Sequence, residues 1–200
     1  MDLNVAAYRI GTKALGPGIR SVVWVQGCPF HCEGCFSPNW IKKQQNEAWA
    51  PLDLAKMLVF PEMEGITISG GEPMDQADGV LELIQDVKKI NSKSSIVIYT
   101  GYTIATLRKR HAGHPIHELL RTVDVLIDGL YVQQKNDNKG LRGSNNQKIH
   151  HLTDRYLNFD FENDQRIQEY YIRENEIQIV GIPDQAGGFF VKNDLADIVR

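Results

Sequence analysis

Three cysteines are the whole thiol complement of the chain, and they stand in one run, Cys28-Pro-Phe-His-Cys-Glu-Gly-Cys35, spaced C-x3-C-x2-C. Thiolates are the preferred ligands of iron–sulfur clusters. Three of them on one short loop can hold three irons of a cubane and leave the fourth iron open. An open iron can bind and activate a substrate, whereas a fully ligated cluster mostly carries electrons, so the triplet points to an enzyme. Two other readings stand beside this one. A structural zinc site takes four protein ligands, and His31 inside the loop, or another of the six histidines, would complete a Cys3His set. Free structural cysteines are the other reading, although Gly27, Pro29 and Gly34 give the run the composition of a loop.

Other segments carry polar groups and glycines in positions suited to a site. Ser69-Gly-Gly-Glu-Pro73 follows an apolar run and precedes a helical pattern. Gly70 and Gly71 let the backbone approach a ligand closely or take a positive φ, and free N–H groups near a helix start suit a carboxylate or a polar ligand group. Taken alone, the segment is a turn. In Tyr99-Thr-Gly-Tyr102, Gly101 again permits close approach, and Tyr102 offers an aromatic face and a hydroxyl. Asp128-Gly129 and Arg142-Gly-Ser-Asn-Asn-Gln147 have the composition of solvated loops, yet Arg142 has the fork to pair with a carboxylate. His111, His114 and His117 are spaced across Gly113 and Pro115 and read as a polar loop, not a metal site. Arg108-Lys-Arg110 reads as a solvated helix face.

The elements that must position these residues follow from periodicity. A β-branched run at 21–25 ends at the cysteine loop. Leu52, Ala55, Leu58 and Val59 predict a helix over 52–60, and Gly-Ile-Thr-Ile-Ser a strand over 65–69. Val80, Leu81, Ile84, Val87 and Ile90 form a helical stripe over 77–90, with Asp75 as its N-cap. A strand at 95–100, a helix at 104–110 capped by Thr103, a further turn at 117–121 and a strand at 123–128 complete the series. Strands alternating with helices predict βαβ units and a parallel sheet. In such a sheet the loops at the carboxyl ends of the strands build the site. The cysteine loop, 69–73, 100–102 and 128–129 all fall at that edge.

After Gly143 the pattern changes. Residues 169–172 and 177–180 flank the polar 173–176 and predict a β-hairpin. Residues 163–165 and 184–188 are turn-rich, and 193–200 begin a helix. Tyr156, Phe159 and Phe161 are expected to pack this part down. The expected division is an α/β core over 1–150 and a β-rich extension over 151–200.

Bulk composition excludes several classes. At 42% hydrophobic, the 200 residues suffice for a real core. A net charge of −3 gives no reason to expect nucleic acid as a partner. No apolar run reaches the roughly 20 residues needed to cross a membrane, and the start Met-Asp-Leu-Asn-Val lacks the pattern of a signal peptide. Clustered cysteines with no distant partner are a poor disulfide framework, which places the chain in a reducing cytoplasm.

The Cys28-x3-Cys32-x2-Cys35 loop after the first predicted strand resembles the radical S-adenosylmethionine (radical SAM) superfamily. The superfamily often has an aromatic residue just before the third cysteine, where this chain has Gly34. That departure is common in one branch, the activating enzymes of the anaerobic ribonucleotide reductase. The branch also typically shows stretches like Gly16-Pro-Gly-Ile-Arg-Ser21, Val25-Gln-Gly-Cys28 and the Arg142–Gln147 run.

The resemblance implies a fold, an α/β partial, open (β/α) barrel with the C-terminal β-rich appendage, since the chain is short for a full barrel of about 250 residues. It implies a [4Fe-4S] cluster on Cys28, Cys32 and Cys35, with SAM bound to the open iron. Gly70, Gly71 and Glu72 would meet the methionine part of SAM; Thr100, Gly101 and Tyr102 its ribose or adenine. Asp128 and Arg142 complete the implied cofactor-binding set. Reductive cleavage of SAM would yield a 5′-deoxyadenosyl radical that takes a hydrogen from a glycine Cα of the reductase partner. A flavodoxin- or ferredoxin-type protein would supply the electron. The rival readings are a radical SAM enzyme acting on another protein or peptide, and a non-catalytic electron carrier or zinc module.

Overall fold

The computed structural model describes residues 1–173 and 176–183. The chain runs through β1 (Leu3–Thr12), β2 (Arg20–Val25), β3 (Glu47–Trp49) and α1 (Pro51–Leu58). There follow β4 (Gly65–Gly70), α2 (Ala77–Ile90), β5 (Ser95–Thr100), α3 (Ile104–Arg108) and α4 (Pro115–Thr122). The last elements are β6 (Val125–Asp128), β7 (Lys148–His151), β8 (Gln168–Arg173) and β9 (Glu176–Gly181).

β2, β4, β5 and β6 are parallel neighbours in the centre of a seven-stranded sheet of order β3-β1-β2-β4-β5-β6-β7. β1 and β7 pair antiparallel on the flanks, and β3 pairs antiparallel with β1. The parallel prediction therefore holds for the centre and is corrected at the edges, giving a mixed α/β fold. Among the described residues the sheet does not close: β3 and β7 are its two ends. β8 and β9 form the predicted hairpin as a separate antiparallel pair. Residues 174–175, and the turn and helix expected over 184–188 and 193–200, lie outside the described residues.

Successive strand residues face opposite sides, and both sides of the central strands are covered. On one, Val23, Val25, Ile66, Ile68, Ile96, Ile98 and Leu126 pack with α1, α2 and α4. On the other, Val22 and Trp24 meet Val180 of the hairpin and Ile182 just past it. There, too, Val97, Val125 and Ile127 meet Leu141, Tyr156 and Phe161. Burial on both faces explains why these strands read as nearly unbroken Val/Ile runs. The expected packing role of Tyr156, Phe159 and Phe161 is observed.

Three local expectations are corrected. In α1 the buried residues are Pro51, Leu54, Ala55 and Leu58, while Leu52 is exposed, because the helix starts at Pro51 and sets the phase. In α2, Leu83 joins Val80, Ile84 and Val87 in the core and Ile90 is exposed. Asp75 does not cap α2. The chain first makes a 3-10 turn over Pro73–Gln76, whose cap is Glu72, its side chain accepting from the Met74 amide, and α2 begins at Ala77 with Gln76 at its N-cap making no side-chain cap bond. Thr103 does cap α3, accepting from the Thr106 amide. No helix of the described residues is long and apolar enough to cross a membrane.

Candidate functional site

The four parallel strands end together, and their carboxyl ends feed the cysteine loop, the Gly-Gly-Glu turn, the Thr-Gly segment and the Asp-Gly turn. One cleft at this edge is lined by Cys28, Cys32, Cys35, Ser69, Gly70, Gly71, Glu72, Thr100 and Gly101. Gly129, Gly143 and Gln147 close it from the β6 side, and Leu15, Trp24, Phe30, Phe36 and Ile182 give it apolar walls.

The cysteine loop is tied down at both ends. The Gly27 amide donates to the Trp40 carbonyl at 2.8 Å and the Cys28 amide to the Ile41 carbonyl at 2.9 Å. Inside the loop, the Cys35 amide donates to the Cys32 carbonyl and the Ser37 amide to the Cys35 thiol. All three thiols are free and half-buried. Burial pushes the Cys28 thiol up to about 11, and Cys35 also rises for that reason. A bound metal cation would favour the thiolate form against this burial. Among the described residues, no three Cys, His, Asp or Glu side chains are gathered to hold one metal ion. A cubane instead takes a separate iron for each thiolate. Half-buried thiols facing glycine backbone and apolar walls make a donor set and a low-dielectric shell that fit such a cluster. Gly34 turns the loop at φ 68°, and a Cβ there would lie 2.7 Å from the Gln133 side chain.

The Gly-Gly-Glu turn leans on the cysteine strand. Gly71 donates to the Val25 carbonyl at 2.7 Å, and the Glu72 amide to the Gly27 carbonyl at 2.8 Å. The close approach for which the glycines were read is thus, in part, an approach to the backbone beside Cys28. The Glu72 side chain is buried and reaches the next strand, accepting from the Thr100 hydroxyl at 2.7 Å and the Gly101 amide at 2.8 Å. Burial raises its carboxyl to about 7, against the hydrogen bonds from Met74, Gly101 and Thr100 that favour the charged form.

Tyr102, Asp128 and Arg142 do not line the cleft. Tyr102 packs edge-on against Phe30 at 4.8 Å and donates its hydroxyl to Asp75. Asp128 is buried, accepts from the Ile104 amide at 2.6 Å and lies 2.9 Å from His150 Nε2. Arg142 pairs with Asp137 at 3.2 Å and faces Glu162 at 3.9 Å. From the same run, Gln147 enters the cleft lining; it also accepts from the Gly143 amide and donates to the Gly129 carbonyl. The histidines set aside in the sequence hold the α3–α4 connection: His114 accepts from the Ile116 amide and His117 Nε2 meets the Arg110 carbonyl.

Phe30, Tyr131 and Ile182 line the cleft without having been singled out in the sequence, whereas Gln147 belongs to the Arg142–Gln147 run. Phe30 was legible in principle, lying between two cysteines; Ile182 was not, since only the tertiary fold brings it there.

Residues 14–150 match the family described as a 4Fe-4S single cluster domain. The chain is 36% identical to the anaerobic ribonucleoside-triphosphate reductase-activating protein of Vibrio cholerae, over 69% of this chain and 91% of that protein. It is 31% identical to the protein of that name from Enterobacteria phage T4, over 70% of this chain and 88% of the relative. With the Escherichia coli (strain K12) protein of that name it shares 28% identity, over 68% and 91% of the two chains. A cluster-type donor set at the strand ends, a domain match and these relatives agree: the chain belongs to the anaerobic ribonucleoside-triphosphate reductase-activating protein family.

Proposed function

We propose that this chain is a radical SAM enzyme that installs a glycyl radical on an anaerobic ribonucleotide reductase. The observation that carries the reading is the shared cleft: three thiols face Gly-Gly-Glu and Thr-Gly backbone at the ends of adjacent parallel strands. Cys28, Cys32 and Cys35 would hold three irons of a [4Fe-4S] cluster, each as a thiolate. When bound together, the cluster and SAM supply reductive cleavage of a carbon–sulfur bond and the carbon radical that takes the glycine hydrogen.

The chain's own part is to bind, orient and exclude water. The Gly70–Gly71 backbone offers a side-chain-free surface beside Cys28 for the methionine part of SAM. Thr100 and Gly101 border the place for its ribose or adenine. Glu72 holds the ends of β4 and β5 at a fixed separation through Thr100 and Gly101. Leu15, Trp24, Phe30 and Phe36 keep the surroundings dry, which protects a reactive intermediate from side reactions. Tyr102, Asp128 and Arg142, with their bonds to other side chains, would support the site from behind. On this reading the open mixed sheet would be the partial (β/α) barrel of the radical SAM superfamily, with residues 1–150 as its core and 151–200 as the extension. A flavodoxin- or ferredoxin-type protein is the proposed reductant.

The test is anaerobic incubation of the reconstituted, reduced protein with SAM. 5′-Deoxyadenosine should form, and no product above a protein-free control, with an intact cluster, would sink the reading. Adding the reductase should give a glycyl doublet in electron paramagnetic resonance. SAM cleavage without the doublet would assign the chain to another protein or peptide substrate.

A further inference from the structure

The family match ends at residue 150, yet the cleft does not. Gly181 and Ile182, at the end of β9, line it. Ile182 is 6% exposed and packs in one apolar cluster with Leu15 and Trp24. Gly143 and Tyr131 also line the cleft. One side chain connects these two parts. Arg166 Nε donates to the Gly140 carbonyl at 3.2 Å. Its Nη1 donates to Asn136 Oδ1 at 2.9 Å and to the Pro183 carbonyl at 3.0 Å. Its Nη2 donates to the carbonyls of Lys139 at 3.3 Å and Arg142 at 2.6 Å.

A guanidinium has five N–H donors in a fixed fork. Here each has an acceptor, and the acceptors come from the 136–142 loop and from Pro183, two residues past β9. Arg142 precedes the cleft residue Gly143, and Pro183 follows the cleft residue Ile182. The loop and the extension are also knitted by backbone, Gly140 donating to Asp164 at 3.1 Å and Leu141 to Phe161 at 2.7 Å.

We infer that the extension builds a wall of the cleft, and that Arg166 is the positioning residue that fixes this wall relative to the cysteines. The wall brings to the cleft an apolar side chain and glycine backbone. It adds no polar side chain, and its part is to cover whatever the cleft holds. Covering matters when the intermediate reacts with any neighbour it meets. For the identity of that intermediate, the inference rests on the function proposed above.

The experiment compares Arg166→Ala, Arg166→Lys and Ile182→Ala with the wild type. In Arg166→Ala, hydrogen exchange should rise at amides 140–142 and 180–182 but not in β4 or β5, with iron content unchanged. The number of SAM molecules cleaved per glycyl radical formed should rise by roughly tenfold, as when an outer-shell partner is lost. Arg166→Lys, with three donors and no fork, should fall between the two. Merely lowered stability would not move that ratio. Wild-type exchange and wild-type coupling in Arg166→Ala would overturn the inference. Should that variant fail to fold, Ile182→Ala keeps Arg166 in place, and an unchanged ratio there would overturn the wall. Should the wild type cleave no SAM, the proposed function falls, while the exchange comparison still decides the role of Arg166.

Discussion

The carboxylate of Glu72 accepts from the Gly101 amide at 2.8 Å, so one buried side chain bridges the ends of β4 and β5. Its other oxygen accepts from Thr100 and from Met74. The resemblance put Glu72 beside a ligand; the structure makes it first a strut between the two strands that border the cleft.

This strut should titrate. Burial lifts the carboxyl from its ordinary value of 4.5 to about 7, so the folded protein holds the proton more tightly than the unfolded chain. The stability linked to that proton is fully present below 4.5 and is lost as pH rises through 7. The change is on the order of 3 kcal/mol. In the metal-free protein, the unfolding free energy of wild type minus that of Glu72→Gln should fall by about that amount across this window and then level off. A difference that stays flat would mean the carboxyl is not held as described.

A methyl group at Gly71 should separate the two halves of the site. Its Cβ would lie 2.2 Å from the Gly27 carbonyl oxygen, one residue before Cys28. The neighbour is backbone and cannot swing aside, so the turn or the cysteine strand must shift. A misplacement of about 1 Å can cost on the order of 100-fold in rate. Gly71→Ala should therefore lose SAM cleavage to that extent while its far-ultraviolet circular dichroism stays that of wild type. Wild-type turnover would show that the contact between Gly71 and Gly27 does not set the site.

What the sequence disclosed depended on how strongly one physical constraint dominated each element. The central strands were legible because burial on both faces demands Val and Ile at nearly every position. β1 was not: its ladder with β2 is interrupted by irregularities between Val5 and Ala7 and between Arg9 and Thr12, so no alternation survives. β3 and β7 are short edge strands of three and four residues, below any usable period. The cysteines, Gly70, Gly71, Glu72, Thr100 and Gly101 were found because they follow apolar runs at the carboxyl ends. Arg142 entered the expected site through the resemblance of its run, but the Asp137 that pairs with it is a loop neighbour no period could reveal. Arg166, likewise, is one cation among many until its five acceptors are seen.

The Gly16–Ser21 motif acquires a structural cause in Arg20, which is fully buried. Its guanidinium donates to Thr67 Oγ1 at 2.7 Å and to the carbonyls of Pro17 at 2.7 Å and Ile66 at 2.9 Å. A Cβ on Gly16 would lie 2.9 Å from Arg20 Nε, so the glycine leaves room for the arginine. Removing the donors strands these acceptors away from water, each at about 1–3 kcal/mol. Arg20→Met should lower the unfolding free energy by roughly 3 kcal/mol or more, read from denaturant midpoints. A change below about 1 kcal/mol would show that the buried network contributes little.

The cysteine loop offers the sharpest choice between metals. Cys32 is central to the triplet, and an iron it held would have no substitute thiol, since the chain's other two cysteines are already assigned. His31 beside it is exposed and does not line the cleft. Under the cluster reading, Cys32→Ala should lose iron and sulfide after reconstitution, lose the visible absorption of the cluster and cleave no SAM. His31→Ala should keep all three. Under a zinc reading with His31 as the fourth ligand, its removal should weaken the metal as much as the loss of a cysteine. Iron, sulfide and zinc counts on the two purified variants separate these outcomes. Full iron in Cys32→Ala, or metal lost from His31→Ala alone, would remove the three-thiolate assignment on which the proposed chemistry stands.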